Sequence, residues 1–166
     1  NWINVGGKLG SVSFADCMEI ELVPTAARSV KQAPILYKEY PPLKDRKPLA
    51  KVLLIGGFHG DEYSSVSIVF KWLRTLDQYH SGLFHWRVVP LLNPDGLLRD
   101  NSTRYNANGV DLNRNFPMPD WHATALAYWN SRTGANDRKY PGPHALSEPE
   151  SAWLVEEIYH FKPDVI

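Results

Sequence analysis

The chain has 166 residues, of which 43% are hydrophobic and 22% are charged, as in an ordinary globular protein rather than a disordered chain. Lysine plus arginine equals aspartate plus glutamate at 18 each, so no overall field favours nucleic acid or an acidic membrane, and we expect neither as a partner. The single cysteine, Cys17, excludes an intrachain disulfide and a zinc ribbon, and no apolar run approaches the roughly 20 residues of a membrane helix.

The compartment and the amino end are only weakly indicated by the sequence. A chain without disulfides slightly favours the cytoplasm over the periplasm. No signal-peptide pattern opens the chain, and its first residue is Asn1 rather than methionine, which is typical of a trimmed or processed amino end. The sequence predicts no particular oligomeric state.

Residues 1–50 predict a β-rich segment of the same domain as the rest of the chain. Its strand candidates are residues 12–23 and 35–40. Prolines at 41 and 42 and the charged stretch 44–47 predict a surface loop after the second strand.

The following stretch predicts a strand, a helix and a second strand. Residues 52–55 form a short apolar run before two glycines, which is typical of a strand buried on both faces. Apolar residues then recur at helical spacing and predict a helix over 64–77. Residues 86–92 predict another strand, in which Pro90 indicates an edge position or a bulge.

A long loop follows at residues 93–119, and loops of this length are usually functional. Asp120 is expected to cap a short helix to about residue 129. Residues 147–150 predict a capping box for a helix that ends at Lys162 and Pro163, and residues 164–166 begin a further strand. This order of elements predicts an α/β fold with functional loops at the strand ends.

His59 and Glu62 form the clearest candidate metal site, where the apolar strand gives way to the helix. Zinc favours imidazole and carboxylate ligands. Gly56, Gly57 and Gly60 leave room for a tight turn and a metal. A bare H-x-x-E pattern is weak, and its alternative is a helix-capping loop with an exposed acid. Its position after an apolar strand and a glycine pair favours the metal site.

A second cluster, rich in arginine, lies in the long loop. Arg104 and Arg114 carry planar guanidinium groups, which bind carboxylates bidentately and can stabilise an oxyanion. Asp111 is placed to orient a metal-bound histidine. For Phe116 and Trp121 the sequence fits two positions equally well, the lining of a substrate cleft and the packed core. Ordinary solvated surface charges are predicted for Arg99, Arg132 and Arg138.

Four motifs together resemble the zinc metallocarboxypeptidase family. They are HGDE at 59–62, NPDG at 93–96, GVDLNRNF at 109–116 and YPGPHALSEPE at 140–150. The wording GGFHGDE and NANGVDLNRNFP is most similar to the bacterial murein peptide amidase branch. The resemblance covers most of residues 28–166, with 28–35 as a degraded form of the family's first strand. It implies a mixed, mainly parallel sheet flanked by helices, present here only in part.

The resemblance also implies an activity and a set of roles. The activity is hydrolysis of an amide bond in a small anionic peptide, with a cell-wall (murein) peptide as the expected substrate, by water that one zinc ion activates. A glutamate acts as general base in such enzymes. The roles implied are zinc ligands for His59 and Glu62, catalysis for Arg104, substrate binding for Asn113 and Arg114, and support of His59 for Asp111.

The family's third zinc ligand is a histidine just after a strand that begins like residues 162–166, and its general base lies further on. We therefore expect residues 51–166 to be the N-terminal part of a catalytic domain whose carboxy-terminal part is missing. Loss of that part would leave an exposed sheet edge. Surface or supporting positions, rather than the third ligand, are predicted for His80, His85, His122, His144 and His160.

Two other functions remain open at this point. Aspartoacylase and succinylglutamate desuccinylase relatives share the H-x-x-E and D-L-N-R elements, but the NPDG and 147–150 segments argue against them. A non-catalytic binding module is expected instead if the chain is complete at Ile166.

Overall fold

A four-stranded sheet with helices on both faces forms the centre of the computed structural model, which describes residues 4–166. Residues 1–3 of the predicted β-rich segment lie outside the described residues. The strands are β1 (Val23–Arg28), β2 (Pro34–Tyr40), β3 (Lys51–Ile55) and β4 (His85–Val89). The helices are α1 (Asn4–Lys8), α2 (Phe14–Glu19), α3 (Tyr63–Tyr79), α4 (Pro94–Leu97), α5 (Ala127–Thr133) and α6 (Pro149–Phe161). Among the helices so described, none has the length and apolar character to cross a membrane.

The sheet is mixed, in the order β1-β2-β4-β3. β2 pairs antiparallel with both β1 and β4, whereas β3 and β4 are parallel and joined through α3. Parallel pairing brings the carboxyl ends of β3 and β4 to one edge of the sheet, where loops commonly carry functional groups. Val165 forms a single parallel bridge with Val52, and this confirms that the chain turns to extended structure after α6.

Apolar side chains cover both faces of the sheet. On one face, α3 buries Val66, Val69, Phe70 and Leu73, which recur at helical spacing and pack with α1 and α2. On the other face, Leu154 of α6 packs in the cluster that contains Leu53. Leu53 alone is fully buried in β3, so the predicted burial of this strand on both faces is wrong for its other residues. The reason is position, because β3 ends the strand order.

The predicted strand over residues 12–23 is wrong, since most of this stretch forms α2 and its N-cap. The Ser13 hydroxyl accepts from the Asp16 amide at 3.1 Å, and the Asp16 carboxylate accepts from the Ser13 amide at 2.7 Å. This reciprocal pair is a capping box, which satisfies amide groups at a helix start. Val12 and Ile20 contribute to the apolar pattern of the stretch. Their side chains are buried in the core from positions that flank the two ends of α2. A strand begins only at Val23.

Two further element predictions need correction. β4 lies inside the sheet, and Pro90 follows its last paired residue, Val89, so that the missing N–H removes no ladder hydrogen bond. Asp120 has a left-handed backbone (φ 53°), and no side chain caps the helix that begins after it. That helix starts as a π-helical segment, His122–Leu126, and continues through α5 beyond the predicted end.

The capping box predicted at residues 147–150 is also wrong, because Glu150 has a partner far away in sequence. Its buried carboxylate accepts from the Val30 amide and from the Asn106 side-chain amide, each at 3.2 Å. Glu148 is the N-cap of α6, without a side-chain cap. Burial raises the pKa of Glu150 to about 6, although the hydrogen bonds oppose the shift. The carboxylate therefore ties the turn after β1 to α6 at a cost in desolvation.

We expect this buried carboxyl to make the protein less stable as the pH rises from about 4.5 to above 6. The folded-state pKa of Glu150 lies above its ordinary value of 4.5, so the folded protein holds the proton more tightly and loses that advantage once the group ionises. The shift corresponds to about 2 kcal/mol in the free energy of unfolding. Urea unfolding of Glu150→Gln and of the parent across this range measures the difference.

The matched control is Glu156→Gln, since Glu156 lies on the same helix and is exposed. Its stability profile should follow that of the parent protein. An identical fall in stability in Glu150→Gln and in the parent would contradict the assignment.

Candidate metal centre

His59 and Glu62 converge at the edge of the sheet where β3 and β4 end. His59 follows β3 and is buried, while Glu62 precedes α3 and is about half exposed. The Nδ1 atom of His59 lies 3.1 Å from Oε1 of Glu62. Two donors that each bind a tetrahedral zinc ion at about 2.1 Å lie roughly 3.4 Å apart. The two predicted ligands therefore stand close to the separation that one zinc ion requires.

The second ring nitrogen of His59 orients the imidazole for this role. Nε2 lies 3.0 Å from Oδ1 of the fully buried Asp111. An ionised carboxylate only accepts hydrogen bonds, so Nε2 carries a proton. Nδ1 faces the Glu62 carboxylate in the same way, and a proton there would be displaced by a metal ion. Burial lowers the pKa of His59, but hydrogen bonds to Asp111 and Glu62 raise it by a larger amount, so the net shift is upward. The same carboxylates favour a metal cation between Nδ1 and Glu62.

A third protein ligand is not among residues 4–166, where no group of three His, Cys, Asp or Glu side chains could hold a metal. Three histidine rings are engaged elsewhere. Those of His80, His85 and His144 lie within hydrogen-bond distance of the Phe84 carbonyl, the Glu39 carboxylate and the Ala145 carbonyl, respectively. The described residues thus fit two of the ligands of a zinc site.

The Arg104 guanidinium binds two carboxylates of this centre, those of Asp111 and Glu62. Its Nε donates to Oδ2 of Asp111 at 2.8 Å, and its Nη1 donates to Oε1 of Glu62 at 2.9 Å. Burial raises the pKa of Asp111, but hydrogen bonds from His59 and Arg104 lower it by more. The hydrogen bond with His59 is the main cause that lowers the pKa of Glu62. Both carboxylates are therefore ionised at neutral pH, as metal ligation and support require.

Asn113 and Arg114 lie in a short 3₁₀ turn, Leu112–Arg114, which directly follows Asp111. The Asp111 carboxylate caps this turn by accepting from the Asn113 amide at 3.2 Å. Nε of Arg114 is 3.3 Å from the same carboxylate, but its N–H makes no aligned hydrogen bond there. The guanidinium stands over the Tyr128 ring, 5.9 Å from its centroid. Asn113 is exposed and Arg114 half-buried, so both can reach an anionic ligand.

Asn93 connects the loop that carries His59 and Glu62 (the metal loop) with the loop that carries Arg104. The sequence predicted only a turn at this residue. It is fully buried, and its side-chain amide donates to the carbonyls of Phe58 and Arg104, both at 3.2 Å. Its Oδ1 accepts from the Gly96 amide at 2.8 Å. An N-P-D-G motif signals the turn but not the two distant carbonyls, so only the fold reveals this contact.

Arg138 is exposed, as predicted for a solvated surface charge, and its guanidinium also forms an ion pair with Asp61, which lies between His59 and Glu62. Of the two aromatic candidates, Trp121 is buried, which favours packing over cleft lining. Phe116 is half-buried and packs edge-on against Phe58 with centroids 6.0 Å apart, so its position at a cleft stays a prediction.

Gly60→Ala should disrupt the metal loop, because this residue touches the backbone of α4. A Cβ there would lie 2.2 Å from the carbonyl carbon of Gly96 and 2.3 Å from the amide nitrogen of Leu97. Neither backbone atom can move as a side chain can, so we expect a loss of about 3 kcal/mol in the free energy of unfolding. Zinc affinity should fall too, because His59 must shift. Urea unfolding and a zinc titration with a chromophoric chelator measure the two effects.

Gly10→Ala is the control, since a Cβ at Gly10 meets no atom within 4 Å. It should unfold and bind zinc as the parent does. If Gly60→Ala behaves like Gly10→Ala, the close approach of the metal loop to α4 is wrong.

Comparison with known proteins agrees with this geometry. Residues 24–165 match the zinc carboxypeptidase family. Murein peptide amidase A of Escherichia coli K12 is 38% identical over 138 residues, which cover 82% of this chain and 53% of that protein. The Vibrio campbellii protein of the same name is 33% identical, over 87% of this chain and 56% of its own length. The chain therefore spans about half the length of these relatives.

Solved structures show the same relation. Murein-tripeptide amidase MpaA from E. coli O157 is 34% identical and superposes with a TM-score of 0.58, over 84% of this chain and 57% of that one. Bovine thrombin-activatable fibrinolysis inhibitor, at 17% identity, shares the fold with a TM-score of 0.67, over 87% of this chain and 50% of its own. The predicted α/β fold, a mixed sheet flanked by helices and present in part, is confirmed. This chain belongs to the zinc carboxypeptidase family.

Proposed function

We propose that this chain is part of a zinc-dependent hydrolase that cleaves an amide bond in a small anionic peptide, with a cell-wall (murein) peptide as the substrate class. The observation that carries the proposal is the convergence of His59 Nδ1 and Glu62 Oε1 at 3.1 Å beside Arg104. The similarity to murein peptide amidases supports the choice of substrate. We also propose that residues 51–166 are the N-terminal part of the catalytic domain.

His59 and Glu62 would hold a zinc ion, which supplies a Lewis acid and makes a water molecule acidic enough to attack near neutral pH. Asp111 would hold a proton on Nε2 of His59, so that Nδ1 is the nitrogen that binds the metal. The general base and a third ligand would come from a segment that corresponds to the half of the relatives that this chain does not cover.

Arg104 would stabilise the negative charge that develops on the scissile carbonyl oxygen. Its Nε and Nη1 are held by Asp111 and Glu62, which leaves Nη2 free to donate in a fixed direction. Donors already oriented in this way stabilise a transition state without reorganising at the moment of reaction. Asn113 and Arg114 would bind the carboxylate of the substrate, the guanidinium by paired hydrogen bonds.

The test is hydrolysis by the intact gene product of a murein tripeptide, of an ordinary peptide with a free carboxyl end, and of an N-acyl amino acid. We expect cleavage of the murein peptide that stops on treatment with a zinc chelator and returns with added zinc. Preferred cleavage of the ordinary peptide would reject the murein substrate. Cleavage of the N-acyl amino acid alone would favour a deacylase, and a metal-free protein that cleaves nothing would favour a binding module.

A further inference from the structure

The chain between Arg104 and Asp111 is closed into a tight turn by Asn106. The backbone amide of Asn106 donates to the Val110 carbonyl at 3.0 Å. The two ends of this turn, residues 106–110, lead to Arg104 on one side and directly to Asp111 on the other. These two residues then meet again, because Nε of Arg104 donates to the Asp111 carboxylate at 2.8 Å. The shape of the Asn106 turn therefore affects how Arg104 stands in the metal centre.

The side chain of Asn106 uses every hydrogen-bonding position that an amide has. Its Oδ1 accepts from the backbone amides of Asn108 at 3.0 Å and Val110 at 3.1 Å. Its Nδ2 donates to Oε2 of Glu148 at 2.7 Å and to Oε2 of Glu150 at 3.2 Å. A side-chain amide has two donor hydrogens and an oxygen that accepts two hydrogen bonds, so this fully buried group is fully satisfied.

The surroundings of this side chain require an amide. An aspartate of the same size would place a third carboxylate against Glu148 and Glu150, and it has no hydrogen to donate when it is ionised. Both glutamates lie at the start of α6, which packs against the sheet through Leu154. A packed helix thus holds the Asn106 turn through hydrogen bonds to two carboxylates, which are stronger than those between neutral groups.

We infer that Asn106 is the positioning residue of Arg104: it ties the turn to α6 and so fixes the direction in which the free Nη2 of the guanidinium points. The inference rests on the proposed function for one point, the role of Arg104 in stabilising the charge on the scissile carbonyl oxygen. Asn106 acts only through Arg104. Loss of the tie lets the guanidinium shift, and a misplacement of about 1 Å can cost roughly 100-fold in rate.

The experiment measures how fast phenylglyoxal modifies Arg104 in the intact protein, since this reagent attacks guanidinium groups that ion pairs do not hold. Asn106→Asp should speed this modification about 10-fold, as the loss of a charge-assisted hydrogen bond implies. The exposed Arg46 is the internal reference and should react at the parent rate. Asn101→Asp makes the same change at an exposed position of the arginine loop and is the matched control, with both rates unchanged.

Urea unfolding shows whether each variant is folded. If the buried carboxylate of Asn106→Asp prevents folding, the neutral Asn106→Ser takes its place, with the same expected result. Combining Asn106→Asp with Glu148→Gln should return Arg104 to nearly the parent rate, because the amide and the carboxylate then exchange places and the hydrogen bond re-forms in the opposite direction.

A readout that a merely structural role would not move comes from kinetics. Asn106→Asp should lower kcat for the murein peptide roughly 10- to 100-fold and leave KM nearly unchanged, since Arg104 acts on charge that develops in the transition state. Zinc affinity should stay near that of the parent, because Asp111 keeps a separate anchor, the hydrogen bond from its backbone amide to the Tyr140 carbonyl at 2.8 Å.

The inference and the proposed function fail separately, because the modification of Arg104 requires no catalysis. Faster modification in a folded Asn106 variant, reversed by Glu148→Gln, supports the inference even if no peptide is cleaved. Modification of Arg104 at the parent rate in a folded variant would overturn it, even if the murein peptide is cleaved. A fall in kcat with no change in the reactivity of Arg104 would also overturn it, since Asn106 would then act through another group.

Discussion

His59→Ala is expected to lower zinc affinity by roughly 100- to 1000-fold. Zinc binding at structural four-ligand sites releases roughly 10–16 kcal/mol, or about 2.5–4 kcal/mol per ligand, and each 1.4 kcal/mol is a factor of ten. His59 supplies the only imidazole nitrogen that faces Glu62 in the described part of the chain. Competition with a chromophoric chelator measures the affinity, and zinc-dependent hydrolysis should fall with it.

His144→Ala is the control for this result, since His144 is exposed and its Nδ1 lies 3.0 Å from a neighbouring backbone carbonyl. It should retain the zinc affinity of the parent protein. Equal zinc affinity of His59→Ala and the parent would place the metal elsewhere and remove the basis for the proposed function.

Asp111→Asn is expected to damage both stability and metal binding. The Asp111 carboxylate is fully buried and accepts from His59 at 3.0 Å and from Arg104 at 2.8 Å. Removal of one partner from a buried charge pair costs about 3–5 kcal/mol, because the remaining charge stays desolvated and unpaired. Loss of the group that orients a metal-bound histidine commonly costs about 10- to 100-fold in metal affinity.

The two effects have separate measurements. Urea unfolding without zinc reports the stability loss, and a zinc titration at low urea reports the affinity loss. Asp100→Asn is the control, since Asp100 is exposed and its side chain has no partner among the described residues. If Asp111→Asn unfolds and binds zinc like Asp100→Asn, the carboxylate does not organise the site.

The candidate site was largely predictable because each of its parts is a local pattern. His59 and Glu62 are three residues apart, and the turn that carries Asn113 and Arg114 follows directly from the cap at Asp111. The structure brings the side chains of His59, Glu62 and Arg114 to Arg104 or Asp111, and the backbone amide of Asn113 to Asp111. The catalytic, ligating and substrate-binding roles of these residues stay predictions until the variants are measured.

The errors fall where a residue has a partner far along the chain. Glu150 has the spacing of a capping box, but its carboxylate binds the Val30 amide, 120 residues away. Arg138 is an exposed charge, as predicted, but the sequence did not indicate its ion-pair partner Asp61, which lies 77 residues before it. Residues 12–23 are largely apolar, yet the capping box at Ser13 and burial against α3 favour a helix there.

The sequence by itself determined the family, the order of strand and helix around the metal loop, and which residues can bear chemistry. These properties depend on residue type and short spacing, which a chain carries whatever its fold. The tertiary structure alone decided which polar groups are buried together and how Asn93 joins two loops. Burial and pairing depend on segments that meet only after folding, because the free energy of a charge is set by its neighbours in space.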